Sequence, residues 1–503
     1  MASTYKTPGV YIAEKNAFPG SAVAVETAVP IFIGYTEKAE RKGKPLIGES
    51  TRITSFAEYV EIFGTDFKHQ FGFTDKTKPI EKFTPDTLKE PVTRFYFYNA
   101  IRLFFQNGGG NCYIMSLAAY GEGDNKKEKI DIADFPDSVF EKLKKELEPT
   151  MVVIPDFVSD RDTCYELYKK VLTHCRDTQS RVGIFDVIPD DNDKSTEETI
   201  SIFRTAIGSD ALNYGAAYYP WLNTSIVQAS EINFTNLAVT VDDLMTLLPE
   251  AAVTAVITKW KEATKVAKPS VSSAEETEEK INDQSKNLHQ SLVISSPTYK
   301  QVMDEIRDRL NLLPPSAALA GIYTSIDNSR GVWKSPANVS LSSVNSPAVI
   351  ISEEQQKNMN VDVLAGKSIN AIRPFPGIGT LVWGARTLDG NSQDWRYINV
   401  RRTMIMIEQS LKLACRAYVF EPNDSATWVT IKSMMNNFLA NLWKQGGLAG
   451  AVPEQAFDVQ IGLGATMTTT DILDGVLRVT VKLAIVRPAE FIVLTFQQKQ
   501  QQS

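Results

Sequence analysis

No apolar run in the 503 residues approaches the roughly 20 that a membrane-crossing helix requires. The opening residues, MASTYKTPGVYIAEK, also lack the apolar core of a secretory signal. A chain made and folded in the cytoplasm, without direct membrane insertion, is the expectation. Four cysteines occur, Cys112, Cys164, Cys175 and Cys415, with no CxxC pair and no disulfide framework, as suits a reducing compartment. Histidine is scarcer still. His69, His174 and His289 lie in no HExxH zinc motif, and no GxSxG nucleophile elbow is present. No metal, cofactor or catalytic residue is therefore expected. Lys and Arg total 53 against 60 Asp and Glu. That acidic majority argues against nucleic acid as a partner, because phosphate contacts need clustered basic side chains.

What is present is ordinary globular material: 43% apolar and 22% charged residues. A chain of this length exceeds what one core holds, so two to four domains are expected. Charge is unevenly placed. Residues 371–503 carry 13 Lys+Arg against 10 Asp+Glu, leaving 40 against 50 on the first 370.

The most patterned stretch is residues 394–497. Met404, Ile405, Ile407, Leu411, Ala414 and Tyr418 recur at helical spacing, with Arg401, Arg402, Glu408 and Lys412 between them. Glu421-Pro422 ends that helix, since proline cannot continue it. A second helix starts from Asn423 or Asp424 as N-cap and carries the stripe Trp428, Ile431, Met435, Phe438, Leu442; Gly446-Gly447 stops it. Leu477, Val479, Val481, Leu483 and Ile485 then alternate with Arg478, Thr480, Lys482 and Ala484, as in a half-buried strand. Residues 491–496 are almost continuously apolar and read as a strand covered on both faces.

This order, with INVRR, FEPND, GGLAGAVPEQAF and VRPAEF in sequence, resembles the C-terminal domain of contractile-tail sheath proteins, the outer sleeve of phage tails, R-type bacteriocins and related injection machines. TPGVYIAE near the start resembles the usual opening of that family, and RGVWKSPAN at 330–338 resembles another of its stretches. The resemblance implies an α/β (α+β overall) multidomain subunit. Its expected parts are an arm and linker (1–27), a small N-proximal domain (28–106), a subtilisin-like α/β middle domain (107–368) and a C-terminal domain (369–503). It also implies self-assembly into a helical homo-polymer around an inner tube protein, with baseplate and tail terminator or cap proteins as further partners, in a phage tail or tail-like particle assembled in the bacterial cytoplasm. Contraction of the sleeve would drive the tube through a target envelope. Val10, Tyr11 and Ile12 at one end and Phe491, Ile492, Val493 and Leu494 at the other are the expected inter-subunit arms. On the second C-terminal helix, Lys432, Ser433, Asn437 and Lys444, with Thr430 and Ala440, are expected to face the tube.

Between the ends, apolar runs at 151–157, 181–188 and 213–222 alternate with helical stretches at 162–176 and 196–207, the mark of a parallel sheet covered on both faces. Asn107-Gly108-Gly109-Gly110-Asn111 precedes a strand instead of following one, so it reads as a helix C-cap and not a phosphate cradle. Residues 261–298 contain no aromatic side chain and are rich in Ser, Glu, Lys and Asn. They read as a mobile or helical insertion on a solvent face. Two other readings remain open: an α/β enzyme using Asp156 and Asp186 at the carboxyl ends of parallel strands, and a non-contractile tail protein sharing the C-terminal domain. His174 beside Cys175 in a helix reads as a packed pair.

Overall fold

The computed structural model describes residues 22–494 apart from 122–125, 190–194, 267–273 and 363. The described residues form two bodies, a larger one of residues 26–402 and a smaller one of residues 22–25 and 403–494.

The larger body is organised on a mixed sheet. Its strands are β1 (Pro30–Thr36), β2 (Ser50–Ile53), β3 (Cys112–Tyr120), β4 (Met151–Val153), β5 (Val182–Asp186), β6 (Gly215–Tyr219), β7 (Val339–Ser340), β8 (Asn370–Phe375) and β9 (Gly379–Val382). They lie in the order β7-β9-β8-β6-β5-β4-β1-β3-β2, with Lys126–Lys127 pairing onto β3. Neighbours from β8 across to β3 run parallel, while β2, β9 and β7 are antiparallel to theirs. Every residue of β1, PIFIGYT, is buried, as a strand covered on both faces must be. The expected alternation of strands and helices is present: α2 (Arg161–Thr178) and α3 (Thr196–Ala206) are the helices that the pattern placed there, and α1 (Phe97–Gln106) lies before β3. Asn107 caps the end of α1, Gly108 follows at φ +88°, and β3 begins at Cys112, so the glycine loop is a helix-to-strand link.

Three expectations are corrected. Residues 28–106 are not a separate small domain, because β1 sits between β4 and β3 inside the large sheet. The boundary placed at 369 falls instead at 403, because β8 extends the same sheet by pairing with β6. Nor do residues 261–298 lie wholly on a solvent face. They form the end of α4 (Ala251–Val266), α5 (Ala274–Ser295) and the start of α6 (Pro297–Leu310). Leu288 and Leu292 are 1% and 0% exposed in a second core shared with Phe71, Phe73, Val253 and Tyr299. The polar composition hid this because two leucines at i and i+4 suffice to dock one face of a helix. After α6, α7 (Ser316–Arg330) follows Pro314-Pro315.

In the smaller body, α8 (Ile398–Cys415) enters from the larger one, and α9 (Ser425–Lys444) follows. β10 (Phe457–Ile461) and β11 (Val479–Leu483) form an antiparallel pair, with Val459 opposite Val481. Among the described residues this sheet has two strands only. The expected strand at 491–496 is absent over its described part, 491–494.

Because Leu292 is enclosed and Ile294 is 84% exposed two residues away, the two should separate cleanly. Leu292→Ala is expected to cost about 2–5 kcal/mol of stability and Ile294→Ala less than about 0.5 kcal/mol, measured by denaturant unfolding.

Candidate assembly surfaces

The residues that invited an enzymatic reading are fasteners. Asp156 accepts hydrogen bonds from the backbone N–H groups of Tyr35 (2.7 Å), Tyr96 (2.7 Å) and Phe97 (2.8 Å), tying β1 to the start of α1. Gly34 makes room for this: a Cβ there would lie 2.3 Å from the Phe97 ring and 2.5 Å from the Asp156 carboxylate. Asp186 accepts from the N–H (2.7 Å) and hydroxyl (2.6 Å) of Ser316, at the start of α7. Burial pushes both carboxyl groups up to about 7, against the pull of these donors. Each acid thus closes orphan N–H groups of a helix start. His174 is buried against Phe140, its two ring nitrogens without hydrogen-bond partners. Burial, with Arg181 and Lys144 nearby, lowers its pKa to about 4, and burial raises the Cys175 thiol to about 12. Both are held neutral, the reverse of a thiolate–imidazolium pair. Among the described residues no group of three His, Cys, Asp or Glu could hold a metal, and no helix is long and apolar enough to cross a membrane.

Sequence reasoning scattered Arg401 and Arg402 between apolar positions of a helix without giving them a role; both are only 4% exposed. Arg402 grips Asp327 with two nitrogens, at 3.0 and 2.6 Å, and donates to the carbonyl of Thr27 at 3.0 Å. Thr27 returns a hydroxyl bond of 2.6 Å to the same carboxylate. The Arg402 guanidinium lies 4.7 Å from the centre of the Tyr323 ring. Arg401 donates to the Tyr214 hydroxyl at 2.6 Å and lies against Tyr214 and Trp395. Two arginines at the fourth and fifth positions of a helix sit near the end where the macrodipole disfavours cations. That signal could have singled them out.

In the smaller body, the Asp424 carboxylate accepts from Ala426 and Thr427 N–H groups, both at 3.0 Å, and so is the N-cap of α9. Asn423, the other candidate, instead accepts from Trp428 Nε1 (2.7 Å) and donates to the Val476 carbonyl (3.2 Å). Ile431, Met434, Met435, Phe438, Leu439 and Leu442 are buried. Lys432, Ser433, Asn437 and Lys444 share the exposed side with Val429, while Thr430 and Ala440 are half-buried at its margins. On the hairpin, Val459 is enclosed, whereas Thr480 and Lys482 face outward as the alternation required. Phe491, Ile492, Val493 and Leu494 follow with 70–86% of their surface exposed. Val25, just before the larger body begins, donates to Ser410 Oγ of α8 at 3.0 Å. Val10, Tyr11 and Ile12 lie outside the described residues.

This body coincides with a known unit: the model of the phage tail sheath C-terminal domain family matches residues 391–499. The tail sheath protein of Vibrio phage KVP40 is 27% identical over 165 residues, 32% of this chain and 24% of that protein. That of Burkholderia phage BcepMu is 27% identical over 155 residues, 30% of this chain and 32% of that protein. These matches thus span at most a third of the relatives' length. Among solved structures, the PVC sheath complex of an extracellular contractile injection system, in the contracted state, is 28% identical with a TM-score of 0.62, covering 99% of both chains. The helical sheath of the anti-feeding prophage, also contracted, is 28% identical with a TM-score of 0.61, covering 99% of this chain and 100% of that one. The architecture is that of a sheath subunit from a contractile, phage-tail-like particle. Residues 391–499 are thus a phage tail sheath C-terminal domain, and along its length the chain is similar to contractile sheath subunits.

The buried neutral His174 sets a pH dependence. The unfolded imidazole binds its proton near the ordinary pKa of 6.5 and the folded one only near 4. Between these values the unfolded state holds more protons, so stability falls as pH falls. His174→Phe is expected to make that fall shallower by up to about one proton's worth of slope, read from unfolding free energies measured between pH 7 and 4.

Proposed function

We propose that this chain is a structural, non-catalytic subunit of a contractile sheath that polymerises helically around an inner tube. Contraction to a wider, shorter sleeve would drive the tube through a target envelope. The observation that carries the reading is the pairing, in the smaller body, of a two-stranded sheet with four consecutive exposed apolar residues, 491–494. An apolar segment with no ladder partner invites association, and an open sheet accepts an added strand through backbone hydrogen bonds that ignore side-chain detail. The arms at Val10–Ile12 and Phe491–Leu494 would add to the β10–β11 sheets of neighbouring copies. A linker of residues 15–27 spans up to roughly 40 Å when extended, enough to reach an adjacent subunit. Energy for contraction would come from a bistable lattice of subunit contacts, not from chemistry. The enzyme alternative loses its support because Asp156 and Asp186 are occupied in capping helices. Baseplate and tail terminator or cap proteins complete the proposed set of partners, within a tail or tail-like particle assembled in the bacterial cytoplasm.

Removing residues 1–14 is expected to leave a folded, soluble protein that no longer forms sleeves, as seen by circular dichroism and negative-stain microscopy. Sleeves that still form and contract would refute the arm mechanism; a truncated chain that cannot fold would assign the segment to its own body.

The exposed side of α9 is proposed to face the tube, with Lys432 and Lys444 reading an acidic partner surface. Replacing both with Glu is expected to weaken assembly on tubes, and the wild-type contact should itself weaken with added salt. Co-sedimentation with preformed tubes at two ionic strengths measures both, and unchanged binding of the double variant would dismiss the contact.

A further inference from the structure

The link between α8 and α9 ends a last helical turn, Arg416–Tyr418, with a residue at φ +73°. That is the left-handed conformation in which helices usually place glycine, because a Cβ is disfavoured there. Here the residue is Phe420. Its ring is fully exposed, at 102%, and Val419 beside it is 60% exposed. The position therefore combines an unfavourable backbone conformation with an aromatic side chain that its own body does not cover.

The turn is firmly held. Glu421 N–H donates to the Tyr418 carbonyl at 3.2 Å and Asp424 N–H to that of Pro422 at 3.0 Å, while Asn423 bridges Trp428 and Val476. Phe420 is thus presented from a fixed base, not carried on a slack loop.

We propose that Phe420, with Val419, is a docking knob that seats in an apolar pocket on a second copy of this chain. The inference rests on the reading of the chain as a self-assembling sheath subunit. One projecting ring is not self-complementary, so between identical chains it must meet a different surface. Contacts of unlike surfaces propagate as a helix when the rotation does not close, which is the geometry a sleeve requires. The side of α9 proposed for the tube is read by charge through Lys432 and Lys444, whereas Phe420 and Val419 call for an apolar receptor.

Two measurements test this. Phe420→Gly relieves the backbone and removes the ring, so the purified variant is expected to melt at or above the parent's temperature while sleeve assembly needs about tenfold more protein. A variant that melts clearly lower would place the ring within its own fold and overturn the proposal, as would assembly at the parent's concentration. Separately, a photocrosslinking benzoylphenylalanine at position 420 is irradiated in assembled particles. A product at twice the chain's mass, with the crosslink between position 420 and a different region of the same sequence, is expected. A crosslink to the tube protein, or none in particles that have formed, would overturn the docking assignment. Failure of the unmodified chain to form particles would instead count against the sheath reading on which it rests.

Discussion

The ion pair between Arg402 and Asp327 is the constraint on which the rest of the molecule depends. Its side chains are 4% and 2% exposed, and the arrangement is two-pronged. Charges so buried survive only if the pairing is geometrically complete, and here Thr27 completes it from both its hydroxyl and its carbonyl. Residue 27 is where the chain enters the larger body and residue 402 is where it leaves. A single buried contact therefore holds both exits of that body at one place. Pulling on the chain at either side of that body would load the same pair.

The other buried acids serve the same end by different means. Asp156 and Asp186 lie where parallel strands end, the usual address of a ligand. In this chain each carboxylate is consumed by the first turn of a helix that lies over the sheet. The position in the sheet is that of an active site, and the chemistry there is structural. This is a direct case in which fold location alone misleads about function.

How much of this could be read in advance varied with the kind of signal. Apolar runs at 151–157, 181–188 and 213–222 announced the parallel strands, which occupy 151–153, 182–186 and 215–219, because both faces are covered and periodicity has nothing polar to interrupt it. The stripe from Ile431 to Leu442 and the alternation around Val481 were equally plain. Which strands join which sheet was not legible. β8 pairs with β6 across some 150 residues, and no local pattern encodes a partner so distant. Composition misled at Leu288 and Leu292, where a polar segment contributes to a core through one face only. Arg402 and Phe420 escaped because their roles depend on burial and backbone conformation, neither of which a residue's identity reveals. The exposed side of α9, by contrast, followed directly from the helical stripe.

The hydrogen bond from Val25 to Ser410 joins residues 385 apart in the chain, and that separation imposes an order of events during synthesis. On the ribosome, β1 finds its partner β3 once residue 120 has emerged, and the large sheet can close after residue 382. Val25 can make this bond only once α8 has been made. Val25 therefore settles only after about four fifths of the chain has been made. Loop closure over that distance is slow.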